Sequence, residues 1–107
     1  MPPKQRYFIA GELYGKPLSV LMDRYEFSTI YLQMQGFEPI NPMELILDYR
    51  AYFWVDMFLE VYLPALEKCD GLYLQKGWEE TVLARIAHYI STEILRIPII
   101  FEDSVLN

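Results

Sequence analysis

The sequence predicts an α/β fold, a three-layer sandwich built on a parallel sheet of about four strands. Three observations carry this. Four short apolar runs, at 7–10, 37–40, 71–75 and 97–101, alternate with three long stretches whose apolar residues recur at helical spacing. Gly and Pro fall singly between elements, and no internal repeat or low-complexity segment interrupts the order. Strands separated by long helices cannot pair as hairpins, so the connections are right-handed crossovers with helices on both faces of the sheet. With 107 residues the chain has room for one domain, 1–107, and little else.

Each element has its own signal. Residues 7–10 read as the first strand, with Gly11 and Gly15 bracketing the loop after it. Residues 18–35 carry apolar side chains at 18, 21, 22, 25 and 32, with Thr29 on the same stripe, and Gly36 stops the helix. Residues 37–40 form a short strand that Pro39 marks as edge-like. Asn41-Pro42 starts a turn and a short helix, since Pro is tolerated at a first helical position. Residues 50–68 are apolar nearly all round, so that helix is expected to be buried on two sides, with a kink or restart at Pro64. Residues 71–75 form the central strand, 79–95 the third long helix and 97–101 the last strand.

Composition narrows the function classes. A hydrophobic share of 53% with 22% charged residues describes a globular chain. The net charge of −6 argues against nucleic-acid polymers, whose backbones need clustered Lys and Arg, but leaves a single small nucleotide possible. The lone Cys69 allows no internal disulfide and fits a reducing cytosol, and one Cys with one His builds no zinc site. The start of the chain is polar and no apolar run reaches the roughly 18 residues of a membrane span, so the expectation is a cytoplasmic protein without a membrane partner. Nine Tyr and two Trp are more aromatic bulk than so small a core easily hides. A homo-oligomer through helix 50–68, with Trp54 and Phe58 in the contact, is the expected sink.

Three segments could line one cleft at the carboxyl ends of the strands: Phe8-Ile9-Ala10-Gly11 with the following Gly11 to Gly15 loop, Gly36-Phe37-Glu38 with Asn41-Pro42-Met43-Glu44-Leu45, and Cys69-Asp70 followed after six residues by Gly77-Trp78. In this order and spacing they resemble the nucleoside 2-deoxyribosyltransferase-like family, over nearly the whole chain. The resemblance implies a Rossmann-like fold with flavodoxin-like strand order 2-1-3-4. It also implies cleavage of the N-glycosidic bond of a 2′-deoxynucleoside or its monophosphate, with a Glu of the third helix as nucleophile, an Asp of the preceding helix assisting, and a Tyr after the first strand.

Carried over residue by residue, those chemical positions are not kept. The nucleophile falls on Ala87 counted from Gly77-Trp78, or on His88 counted back from Pro98, the Asp on Tyr62, and the Tyr on Phe8 unless a one-residue slip brings in Tyr7. Thr81 and Ala84 match, while Leu83 stands where the family has Gly. The expectation is therefore a nucleotide- or nucleoside-binding protein without the family's glycosyl chemistry or a cofactor. The alternatives are an N-glycosidase or 2-deoxyribosyltransferase using a displaced carboxylate, and an adaptor acting through its aromatic helix.

The expected ligand contacts are Phe8, Gly11, Tyr14, Gly15, Asn41, Asp70, Gly77, Trp78 and Thr81. Each has a plainer reading. Asn41 can cap the next helix, Asp70 can fix the neighbouring loop, Trp78 can pack over the sheet end, and Tyr14 can simply be exposed. Glu80, His88 and Asp56 are the candidate catalytic groups. Glu80, with Glu79, is equally a macrodipole partner in a helix's first turn. His88 shares a polar stripe with Thr81, Arg85 and Thr92 that reads as a solvated face. Lys16 is near enough to the first loop to meet a phosphate.

Overall fold

The computed structural model describes residues 3–46 and 53–106, without the side chains of Trp54 and Leu106. Four strands, β1 (Arg6–Ala10), β2 (Glu38–Ile40), β3 (Gly71–Leu74) and β4 (Ile99–Phe101), form one sheet in the order β2-β1-β3-β4. Every pairing is parallel, with Phe8 opposite Ile40 and Leu72, and Leu72 opposite Ile99. This is the α/β architecture and strand order expected.

Helices cover both faces. α1 (Leu18–Met34) lies on one face, where Tyr31 meets Tyr73 with ring centroids 5.8 Å apart. On the other, Phe8 packs edge-on against Tyr62 at 4.8 Å. Tyr62 belongs to a helical run made of α3 (Trp54–Met57), a π-helical segment (Phe58–Tyr62) and α4 (Leu63–Glu67). The π segment gives physical form to the expected irregularity at Pro64. A proline ring collides with the carbonyl four residues back, and the wider π turn moves that carbonyl aside. α2 (Pro42–Ile46) is short, α5 (Val82–Tyr89) continues as a π-helical stretch (Ile90–Leu95), and α6 (Glu102–Leu106) follows β4.

α1 ends where Gly36 adopts φ +86, in a double closure with Gly36 N–H on Gln33 C=O and Phe37 N–H on Leu32 C=O, both at 3.0 Å. β2 is an edge strand, as Pro39 requires. Glu38 N–H donates inward to Gln5 C=O at 2.9 Å, so the Pro39 nitrogen faces away from the sheet.

Two expectations change. The third long helix does not begin at Glu79. Trp78–Glu80 forms a separate 3-10 turn, Thr81 is extended at φ −114 and ψ 121, and the α-helix begins at Val82. Glu79 and Glu80 are thus not first-turn residues of α5. Phe58 is in the core, tilted against Tyr62 at 5.6 Å, and is unavailable to a partner. The expected contact helix exposes Phe53, Val55 and Leu59 instead, and the Trp54 side chain and residues 50–52 lie outside what is described. Among the described residues no helix is long and apolar enough to cross a membrane.

Candidate functional site

β1 and β3 are adjacent, but the chain leaves β1 toward β2 and leaves β3 toward β4. A crevice opens between diverging loops at such a reversal, and ligands of open α/β sheets settle there. The loop after β1 and the loop after β3 face each other across it. Gly11 permits their close approach, since a Cβ there would overlap the Gln75 side chain. Gln75 cannot swing aside: it is buried, and its Nε2 donates to Ser28 Oγ at 3.1 Å and Arg24 C=O at 3.3 Å. Its own N–H reaches Ala10 C=O at 2.9 Å, prolonging the β1–β3 ladder into the loops.

Two adjoining cavities lie at this crevice. One, of about 240 Å³, is lined by Glu12, Lys16, Arg24, Lys76, Gly77, Glu80 and Thr81. The second, of about 300 Å³, takes Leu13, Tyr14, Val82 and Leu83 beside the same Glu12, Glu80 and Thr81. The first is thus basic and the second largely apolar, with two carboxylates and a hydroxyl at their junction. Together they fall in the volume range of small-molecule sites, about 300–1,000 Å³.

The basic cavity gathers cations from three places in the chain. Lys16 pairs with Glu12 at 3.3 Å across the loop, where Gly15 takes φ +91. Arg24 comes from α1, and its Nη2 donates to Lys76 C=O at 2.6 Å. Lys76 precedes Gly77, whose φ of +85 turns the chain into the 3-10 segment. Thr81 occupies the N-cap position of α5 without a side-chain capping bond, and it lines both cavities. Beneath the crevice, Tyr25 is wholly buried, and burial first, then neighbouring Tyr62, raises its pKa well above the ordinary phenol value.

Of the expected ligand contacts, Tyr14, Gly77 and Thr81 line these cavities, and Gly11 and Gly15 shape the loop between them. The others lie elsewhere. Phe8 is wholly buried in mid-sheet. Asp70 sits at the opposite end of β3, where its Oδ2 accepts from Arg6 N–H at 2.9 Å. Asn41 accepts from Met43 N–H at 2.9 Å, capping α2, and lines a separate cavity of about 300 Å³ against α1. Trp78 turns away toward His88, 4.6 Å between ring centroids, and Phe101, 6.2 Å. The single cleft expected from three strand ends is therefore a crevice between two.

Among the candidate catalytic groups, Glu80 lines both cavities. His88 packs on Trp78, and Asp56 is exposed on α3, remote in sequence from every lining residue. Phe8, Tyr62 and Ala87, where the resemblance assigns chemistry, are all fully buried. Arg24 and Lys76 escaped the sequence reading. Lys76 had a visible signal, a base next to a loop glycine directly after a strand. Arg24 had none, because its reach to a loop 52 residues away is a fact of topology. No group of three or more His, Cys, Asp and Glu placed to hold a metal ion occurs among the described residues.

The chain matches no protein-family model, no curated protein and no solved structure. The chemistry of the crevice itself is what carries a functional reading, because a fold of this kind serves many activities.

Proposed function

We propose that this chain binds a small nucleotide or nucleoside in the crevice between the β1 and β3 loops, without the glycosyl chemistry of the family it resembles. The observation that supports this reading is the pairing of a cavity ringed by Lys16, Arg24 and Lys76 with an apolar one bearing Leu13, Tyr14, Val82 and Leu83. A phosphate suits the first, since Lys and Arg make charge-assisted hydrogen bonds to its oxygens. A base or sugar face suits the second. In a chain of net charge −6, such local collection of cations attracts an anion against the overall field.

The test is chromatographic. The protein is incubated with mixed nucleosides, deoxynucleotides and signalling nucleotides, removed by filtration, and heated. A compound depleted from the filtrate and returned intact by heat is the expected result. Unchanged filtrate for every compound would overturn the reading.

One observation favours a second reading. Glu80 lies at the junction of the two cavities, where the sugar of a nucleotide spanning both would rest. A carboxylate there is suited to attack an anomeric carbon or to stabilise an oxocarbenium-like transition state. Free base in the filtrate, abolished by Glu80→Gln, would establish an N-glycosidase with a relocated carboxylate.

A further inference from the structure

The turn that carries Lys76 into the basic cavity is held by its backbone from two sides. Lys76 N–H donates to Glu102 Oε2, and Lys76 C=O accepts from Arg24 Nη2 at 2.6 Å. Glu102 opens α6 directly after Phe101, whose Cα pairs with that of Leu74 across β3 and β4. Sheet register thus brings the carboxylate against the residues that follow β3. Glu102 is only 7% exposed and lines neither cavity of the crevice. A carboxylate removed from water to this degree is costly unless a donor meets it, and the Lys76 amide is such a donor.

We infer that Glu102 is the positioning residue of the basic cavity: by fixing the Lys76 peptide it aims Arg24 and Lys76 at a bound phosphate. The inference rests on the nucleotide reading above. The guanidinium of Arg24 is oriented by Lys76 C=O; the Lys76 N–H lies in the preceding peptide plane, and its tie to α6 anchors the Lys76 Cα that carries both this carbonyl and the lysine side chain. With the tie cut, Gly77 offers a pivot next door, since a glycine tolerates backbone rotation that other residues resist. Cations that no longer converge lose affinity for phosphate, whereas the apolar cavity, built from Leu13, Tyr14, Val82 and Leu83, is untouched. Glu102 therefore controls the choice between phosphorylated and unphosphorylated ligands.

The experiment compares wild type, Glu102→Gln and Glu102→Ala. Calorimetric titrations use adenosine 5′-monophosphate and adenosine as probes, and NMR follows amide exchange at Lys76 in the ligand-free protein. The expected result is a protected Lys76 amide in wild type and Glu102→Gln, which keeps an acceptor oxygen, and rapid exchange in Glu102→Ala. Affinity for the monophosphate falls at least tenfold in Glu102→Ala and stays within threefold of wild type in Glu102→Gln, while adenosine affinity holds in both. If Glu102→Ala fails to fold, Glu102→Asp, whose carboxylate is one methylene short, is read in the same way. Monophosphate affinity unchanged in the acceptor-deficient variant overturns the inference, as does adenosine affinity falling in step with it, which would mark general loosening. A wild-type Lys76 amide that exchanges freely overturns it without any ligand. If wild type binds neither adenine probe, the titrations use the compound depleted in the filtration assay and its unphosphorylated counterpart; wild type that protects the amide yet depletes no compound overturns the nucleotide reading itself, and the positioning role with it.

Discussion

The two ends of the β1–β3 pair are built from the same strands and behave oppositely. At the amino end, Asp70 and Arg6 answer each other: Asp70 Oδ2 accepts from Arg6 N–H at 2.9 Å, Asp70 N–H donates to Arg6 C=O at 2.7 Å, and the Arg6 guanidinium pairs with Glu38 at 3.5 Å. At the carboxyl end the loops diverge, three cations face a cavity, and the Thr81 hydroxyl makes no cap. One end commits its polar groups to the fold; at the other, Lys16 and Arg24 have protein partners and still line a cavity, beside Lys76 and Thr81. Polar residues at a strand end are therefore poor evidence of a site until the topology says which loops part.

That contrast can be broken at either end. The largest effect is expected from Gly11→Ala, which places a Cβ against a Gln75 side chain held by Ser28 and Arg24. Overpacking of this kind costs about 2 kcal/mol, read as a lower denaturant midpoint at unchanged slope. Next comes Arg24→Gln, expected to weaken a phosphate-bearing ligand about tenfold, or about 1.4 kcal/mol, in calorimetric titration. Asp70→Ala should do the reverse of Arg24→Gln, lowering stability by about 1 kcal/mol through the lost bond to Arg6 N–H while leaving ligand affinity alone. Loss of binding in Asp70→Ala would erase the distinction between the two ends.

The last effect is absent at neutral pH and appears only in alkali. The Cys69 thiol beside this amino end is pushed up to about 11, by burial first, with Arg6 opposing and Asp70 and Glu38 adding to the rise. A group whose pKa is higher folded than unfolded contributes stability in full below its unfolded value of 9.0, and loses it as pH rises toward 11. Between those limits wild type should lose melting temperature faster than Cys69→Ala. Buried phenols titrate in both proteins, so the difference between the two curves isolates the thiol.

Parallel pairing and the β2 edge were legible because they rest on local rules, whereas the strand order was implied only by the family resemblance. Alternation of short apolar runs with long helices sets parallel crossovers, and Pro39 cannot sit in mid-sheet. The site was legible only where a loop carried its own marks, as Gly11, Gly15, Gly77 and Thr81 did. Asp70 and Asn41 were misplaced because a short polar side chain beside a strand or helix end serves the backbone equally well, and here both do. Phe8 and Phe58 were given to surfaces, yet rings on a two-sided sheet and its covering helix fill the core. Arg24 and Glu102 were invisible for a different reason. Each meets Lys76 only after the chain has folded, one from α1 and one from α6.

The outward nitrogen of Pro39 has a consequence for how this sheet meets other chains. Glu38 directs its N–H inward, Ile40 follows with the same alternation, and the residue between them has no hydrogen to offer. Across its three residues the outer border of β2 therefore presents no amide donor, only the Pro39 carbonyl, and an invading strand can build no continuous ladder there. The β4 border, Ile99–Phe101, carries no such block. Strand exchange or fibril growth from this fold, under conditions that loosen it, has one direction available. Leu72 N–H donates to Pro98 C=O, which turns the amides of Ile99 and Phe101 outward, so a proline introduced at Ile99 is the change that would test closing it.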